Sequence, residues 1–193
     1  AATVNGTSAD NDITLTATSV DDFTVGIDGQ SVTFSDFNSA SLNGADGADD
    51  ISVTSLAVFT TTLTVAGDSP TGTSGDTLHV EGTAAGETIA VTGNTITVGG
   101  AGAITYGTIE SLSLDAAGGT DTITVTGSTA YDYTPGSSAD AGSLLADSLP
   151  ITFSNLGAGE TLDLDGTSLV AHGTDSDNTL VLGANLTVDG RVN

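Results

Sequence analysis

The chain has 193 residues, 37% of them hydrophobic, and its 25 acids face a single base, Arg191, for a net charge of −24. No nucleic acid and no membrane insertion are expected, because a basic face to neutralise phosphate and an apolar run of spanning length are both missing. The lack of Cys excludes disulfides and thiolate metal sites, while 26 Gly, 34 Thr and a near absence of Lys, Arg, Met and Gln favour strands and turns over helices.

In chain order, one phrase recurs: a glycine, several small or acidic residues, then an alternating strand rich in Val, Ile, Leu and Thr. It reads GTSADNDITLT from Gly6, GADGADDISVT from Gly44, GTAAGETIAVT from Gly82, AGGTDTITVT from Ala117 and GAGETLDLDG from Gly157, with a further copy near 173–182. The aligned apolar positions are Ile13, Ile51, Ile89, Ile123 and Leu162, spaced by 38, 38, 34 and 39 residues. A second phrase keeps the same phase: VTFSDFNSASL from Val32 matches ITYGTIESLSL from Ile104, and ITFSNLG from Ile151 is a shortened relative. The larger unit is near 76 residues, as from Gly6 to Gly82. Short strands TTLTVAG at Thr61, DTLHVEG at Asp76, NTITVGG at Asn94 and NLTVDG at Asn185 fall between the phrases.

Strands of four to six residues with period-two alternation, bounded by Gly, Asp or Asn, define an all-β fold. A parallel β-solenoid (β-helix) of the whole chain, 1–193, is expected, with Ile13, Ile51, Ile89, Ile123 and Leu162 as one inward row. At roughly 20 residues per coil it would have about nine coils and rise on the order of 40 Å. Tandem β-sandwich domains are the alternative, but with no Trp and 4% aromatics there is little to fill a wide interior. Residues 131–150, holding two of the three prolines, read as a protruding loop insertion with one helical turn at Ser143 to Ala146. Both ends match the middle of a strand phrase, so both solenoid ends are expected to be uncapped.

Residues Gly44 to Val53, Gly72 to Val80 and Gly118 to Val125 follow a G-x-x-G-D-D-T-I-x-V pattern. In this the chain resembles the very large secreted or cell-surface bacterial proteins built from tandem β-strand repeats. The resemblance implies parallel β-helices used in adhesion, surface layers or extracellular fibres: a building block that meets neighbouring copies or repeats head to tail, located outside the cell or on its surface. The absence of a signal peptide fits a processed chain or one cut from something longer.

Three constellations could carry chemistry. Acids cluster at turns, and Asp10, Asp12, Asp46, Asp49 and Asp50 are the metal candidates. If coils place such carboxylates in register, a hard cation such as Ca2+ would relieve their repulsion, although Asp is also a common solvated turn residue. No cofactor is otherwise required. The Asp163 and Asp165 pair and the Asp175 and Asp177 pair repeat the pattern. Thr-x-Thr pairs at Thr14 and Thr16, Thr62 and Thr64, Thr95 and Thr97, and Thr124 and Thr126 could present hydroxyls and methyls to ice or a surface glycan, or simply fill outward strand positions. An enzyme is not expected, because acid pairs can be nominated anywhere among 25 carboxylates, and His79 and His172 read as isolated histidines. Asn5 and Asn185 fit the N-glycosylation pattern at the rate chance gives in so Thr-rich a chain. Without Lys, strength must come from the backbone ladder rather than from a Lys–Asn isopeptide bond.

Overall fold

The alternation read in the sequence becomes burial strand by strand: in Thr122–Thr126, Ile123 and Val125 are buried while the three threonines between and beside them are half-exposed. The structure is a computed structural model that describes residues 1–69, 75–138, 140–157 and 161–173. Its strands form two facing sheets. Sheet A has eight strands in the order β1 (Ala2–Asn5), β5 (Ser39–Asp46), β7 (Thr62–Ser69), β11 (Ile104–Gly107), β10 (Thr95–Val98), β9 (Thr88–Thr92), β13 (Thr122–Thr126), β17 (Thr161–Asp165). Sheet B has ten, in the order β18 (Ser168–Ala171), β14 (Ala130–Pro135), β15 (Gly142–Ala146), β16 (Leu149–Ser154), β12 (Ser111–Asp115), β8 (Thr77–Glu81), β6 (Asp50–Thr54), β2 (Asp12–Ala17), β3 (Phe23–Ile27), β4 (Gln30–Phe34).

The chain alternates between the sheets and lays parallel strands beside their equivalents, which is solenoid winding. One inward row runs unbroken across sheet A through Ala2, Ala40, Leu63, Ile104, Ile96, Val91, Val125 and Leu164. On sheet B the row Ile13, Ile51, Leu78, Leu112, Ile151 and Leu144 faces it. Most of these side chains are under 3% exposed, so the interior between the sheets is dry. The interior is built of aliphatic residues, as the scarcity of aromatics requires. Four of the five phenylalanines gather at one corner, where Phe23 stacks on Phe34 at 5.2 Å and meets Phe59 edge-on at 5.9 Å, with Phe37 packed against both Phe23 and Phe34.

Three antiparallel meanders interrupt the winding: β2–β3–β4, β9–β10–β11 and β14–β15–β16. In the second and third, the last strand returns beside the preceding winding, β11 on β7 and β16 on β12, whereas β4 forms the edge of sheet B. The second sequence phrase is the third strand of a meander, at β4, β11 and β16. Each meander contains a two-residue turn with positive φ, at Asp28 and Gly29 (49° and 81°), at Gly93 (56°) and at Asp147 (53°). Such residues match the right-handed strand twist.

The meanders correct three expectations. The solenoid has about four turns rather than nine, because each meander spends three strands without advancing the winding. The predicted single row divides: Ile13 and Ile51 pair on sheet B, whereas Ile89, Ile123 and Leu162 pair on sheet A, because the stretch from β6 to β9 holds no meander and crosses between the sheets three times, whereas each stretch with a meander crosses twice and returns the phrase to the same sheet. Residues 131–150 supply β14 and β15, which pair in register from Tyr131 and Ala146 to Pro135 and Gly142; the expected helical turn at Ser143 to Ala146 is extended strand. Tyr131 anchors this hairpin to the next winding, its hydroxyl donating to the carbonyls of Val125 (2.8 Å) and Asp165 (3.1 Å). The strand expected at Asn185, the phrase near 173–182 beyond Gly173, Gly72 and Arg191 lie outside the described residues.

Candidate functional site

The most distinctive side-chain arrangement is a column of acids at the corner where the chain enters sheet B. Asn11, Asp49, Asp76 and Glu110 immediately precede β2, β6, β8 and β12. At such a corner the backbone N–H still points along the solenoid axis but lies just outside the strand ladder, and it needs an acceptor. Each is satisfied by the next winding: the N–H of Asn11 donates to Asp49 Oδ1, that of Asp49 to Asp76 Oδ1, and that of Asp76 to Glu110 Oε2, all at 2.7 Å. The same device recurs on sheet A, where the N–H of Glu87 donates to Asp121 Oδ1 at 2.8 Å.

These carboxyls are sealed: Asp49, Asp76 and Asp121 are 2%, 0% and 1% exposed, and the Oδ2 atom of each has no hydrogen-bond partner among the described residues. The loss of hydration raises the Asp49 carboxyl above its ordinary 3.8, offset in part by the Asn11 N–H and reinforced by Asp10, Asp28 and Asp68. Asp76 is raised by the same burial, with Asp49, Glu110 and Asp68 as its neighbouring charges.

The conserved spacing of the phrase explains how the column fits. A Cβ on Gly44 would lie 2.2 Å from Asp49 Oδ2, and one on Gly67 would lie 2.2 Å from Asp76 Oδ2 and 2.3 Å from the Thr108 carbonyl. The α-hydrogens of the two glycines fill that space, as weak Cα–H donors. Gly6 and Gly82 stand in the same relation to Asn11 and Glu87. Asn11 Oδ1 accepts from the Thr7 N–H at 2.6 Å, and the Thr83 N–H and hydroxyl both donate to Glu87.

The five predicted metal candidates are dispersed among different tasks. Asp49 belongs to the buried column. Asp10 accepts from the Ala48 N–H at 2.8 Å, Asp12 and Asp50 are opposed and exposed at the start of β2 and β6, and Asp46 is exposed at the end of β5. No three of them bring ligand atoms within 4.8 Å of one another; among the described residues only Asp21, Asp22 and Asp36 do so. There, Asp22 accepts from Ser19 and from the Asp36 N–H, which holds its carboxyl below the ordinary value.

Neither histidine is isolated, contrary to the sequence reading. Register sets His79 of β8 opposite Ser113 of β12, with Nδ1 to Oγ at 3.1 Å. His172 Nε2 lies 2.7 Å from Asp132 Oδ1 on the rim of an open groove also lined by Thr134, Ser143, Leu145 and Thr152. Both members of that pair are about half exposed.

The outward face of sheet A carries a third arrangement. Thr3, Ser41, Thr64, Thr105, Thr95, Thr92 and Thr126 stand opposite one another across seven adjacent strands, ending at Asp165 of β17. Three of the four predicted Thr-x-Thr pairs, at Thr62 and Thr64, Thr95 and Thr97, and Thr124 and Thr126, belong to this face, while Thr14 and Thr16 belong to sheet B. Asn5 is tied into it as acceptor from Asn43 Nδ2 at 2.7 Å. The row could not be read from the phrases, because β10 and β11 enter it by hairpin pairing.

No helix among the described residues is long and apolar enough to cross a membrane. No family model, no curated protein and no solved structure matches the chain.

Proposed function

We propose that the chain is a structural building block of an extracellular fibre, surface layer or giant adhesin of the tandem-repeat kind, joined end to end with neighbouring copies or repeats. The observation that carries this reading is the use of chemistry for winding: the most deeply buried acids accept corner N–H groups from the preceding winding instead of lining a cleft. A noncatalytic role fits the same use of the acids, and the His172–Asp132 pair sits in an open, solvated groove. End-to-end contact is supported by β4, the outermost strand of sheet B among the described residues. It pairs only with β3, exposes Val32 at 60%, and borders an apolar groove lined by Val4, Val25, Ile27 and Phe34. An exposed edge of this kind is a template for another strand.

Negative-stain microscopy of the protein over a range of concentrations tests the proposal. Strings or fibres one solenoid wide are expected; monodisperse particles at every concentration contradict it. A second reading, ice or glycan binding, is favoured by the collection of three Thr-x-Thr pairs on sheet A.

A further inference from the structure

The geometry points to the outward face of sheet A as a lateral docking surface for the same face of a second copy of this chain. This deepens the structural reading by adding a side-to-side contact to the end-to-end one.

The argument begins with charge. At −24, two copies repel each other wherever acids face outward. Sheet B presents Asp12, Asp50, Glu81, Asp115 and Asp132 at outward strand positions. On sheet A, from β1 to β13, the outward positions of the three central rows hold Thr, Ser, Asn, Ala and Gly and no ionisable group. Acids appear only at its margins: Asp46 and Asp68 at the far ends of β5 and β7, and Asp163 and Asp165 on β17. A face without charge in a chain this acidic is where two copies approach at least electrostatic cost.

The chemistry permits the contact, and the area sets its strength. Thr92 already bonds sideways to Thr126 at 3.0 Å and Asn43 to Asn5 at 2.7 Å, so covering these groups strips less water than covering free ones would. Small side chains let two sheets approach to about 10 Å, and seven strand spacings of about 4.8 Å by about 13 Å along the strands give on the order of 450 Å² per copy. That is below the roughly 800 Å² per partner of a standard interface, so a single pair of faces binds weakly. A sugar polymer would find no aromatic ring among the outward residues of these rows to stack on, and Ala66, Gly107 and Ala90 break the hydroxyl lattice that ice would require.

Sedimentation equilibrium of the full chain, at low and high salt and up to about 1 mM, tests the proposal. Expected is a weak dimer that tightens with salt as the repulsion is screened. Thr64→Asp and Thr105→Asp, each placing a charge in the middle of the face, are expected to weaken it at least 10-fold, while Ser52→Asp on sheet B leaves it unchanged; circular dichroism of each variant verifies the fold. Association equally strong in all variants overturns the lateral contact and leaves end-to-end joining in place. A chain monomeric throughout overturns it as well, and thermal hysteresis or retention on a polysaccharide by that monomer assigns the face to another ligand.

Discussion

Replacing Asp49 by Asn removes a buried charge while keeping the acceptor that matters. Oδ1 of the new side chain still receives the Asn11 N–H, now 2.7 Å from Asp49 Oδ1. The amide NH2 takes the place of the orphaned Oδ2, in the pocket beside Gly44 that the Gly67 carbonyl also borders. The repeat itself contains the substitution, since Asn11 occupies the equivalent station 38 residues earlier and is 4% exposed. An unsatisfied buried polar atom costs about 1–3 kcal/mol. At about 2–4 °C per kcal/mol for a domain of this size, Asp49→Asn is expected to raise Tm at pH 7 by roughly 2–12 °C. The gain should fade as the pH falls towards the ordinary carboxyl value of 3.8, where the wild-type acid is itself protonated. Thermal melts of the two proteins between pH 7 and pH 4 measure this difference, and because the other acids are common to both, their contribution cancels. A variant less stable than wild type at pH 7, or a difference independent of pH, would refute the role assigned to the column.

The wild-type profile supplies a second prediction. With folded-state values raised above 3.8, Asp49 and Asp76 bind more protons in the folded chain than in the unfolded one, so stability should rise as the pH falls from neutral towards 4. Below that, Asp22 and Asp147, whose carboxyls hydrogen bonds hold low, are expected to reverse the trend as they protonate; a Tm that falls steadily from pH 7 downwards contradicts the assignment. Gly44→Ala drives a methyl onto Asp49 Oδ2 and should cost about 1–3 kcal/mol in urea unfolding, whereas Gly29→Ala meets no atom within 4 Å and pays only for its φ of 81°. Leu78→Ala, at a fully buried site between Ile51 and Leu112, should cost about 2–5 kcal/mol. A loss under about 1 kcal/mol would show that the row is not a packed core.

Much of this fold was legible because its signals are local. Alternation in ITLTA, ISV and TITVT marks strands, and the two phrases recur at the stations the windings occupy. What the phrases do not carry is the sheet on which each lands. Ile51 and Ile89 look equivalent, yet Ile51 faces the core from sheet B and Ile89 from sheet A. The missing information lay in short turns: Asp28–Gly29, Gly93–Asn94 and Asp147–Ser148 each join two strands by two residues, a hairpin signal that counts against an uninterrupted parallel coil. The prolines at 135 and 150 disguised β14 and β15 as a loop, although Pro135 is the last residue of β14 and Pro150 lies beyond β15, near the start of β16, positions a sheet tolerates. The acids were legible as turn residues stacked in register. Their burial was not, because it depends on glycines whose absent Cβ atoms leave room for an inward carboxyl.

Pairs of nitroxide labels measure the central claim, that one repeated phrase lands on both sheets of a solenoid interrupted by meanders. Labels at Ser52→Cys and His79→Cys, opposed on β6 and β8, stand about 5 Å apart at Cβ and should show strong dipolar broadening; Cys introduced at Ser52 and Ala90, equivalent in the repeat, project from opposite faces of two sheets about 10 Å apart and should show none. Broadening in the second pair and not the first would contradict the winding.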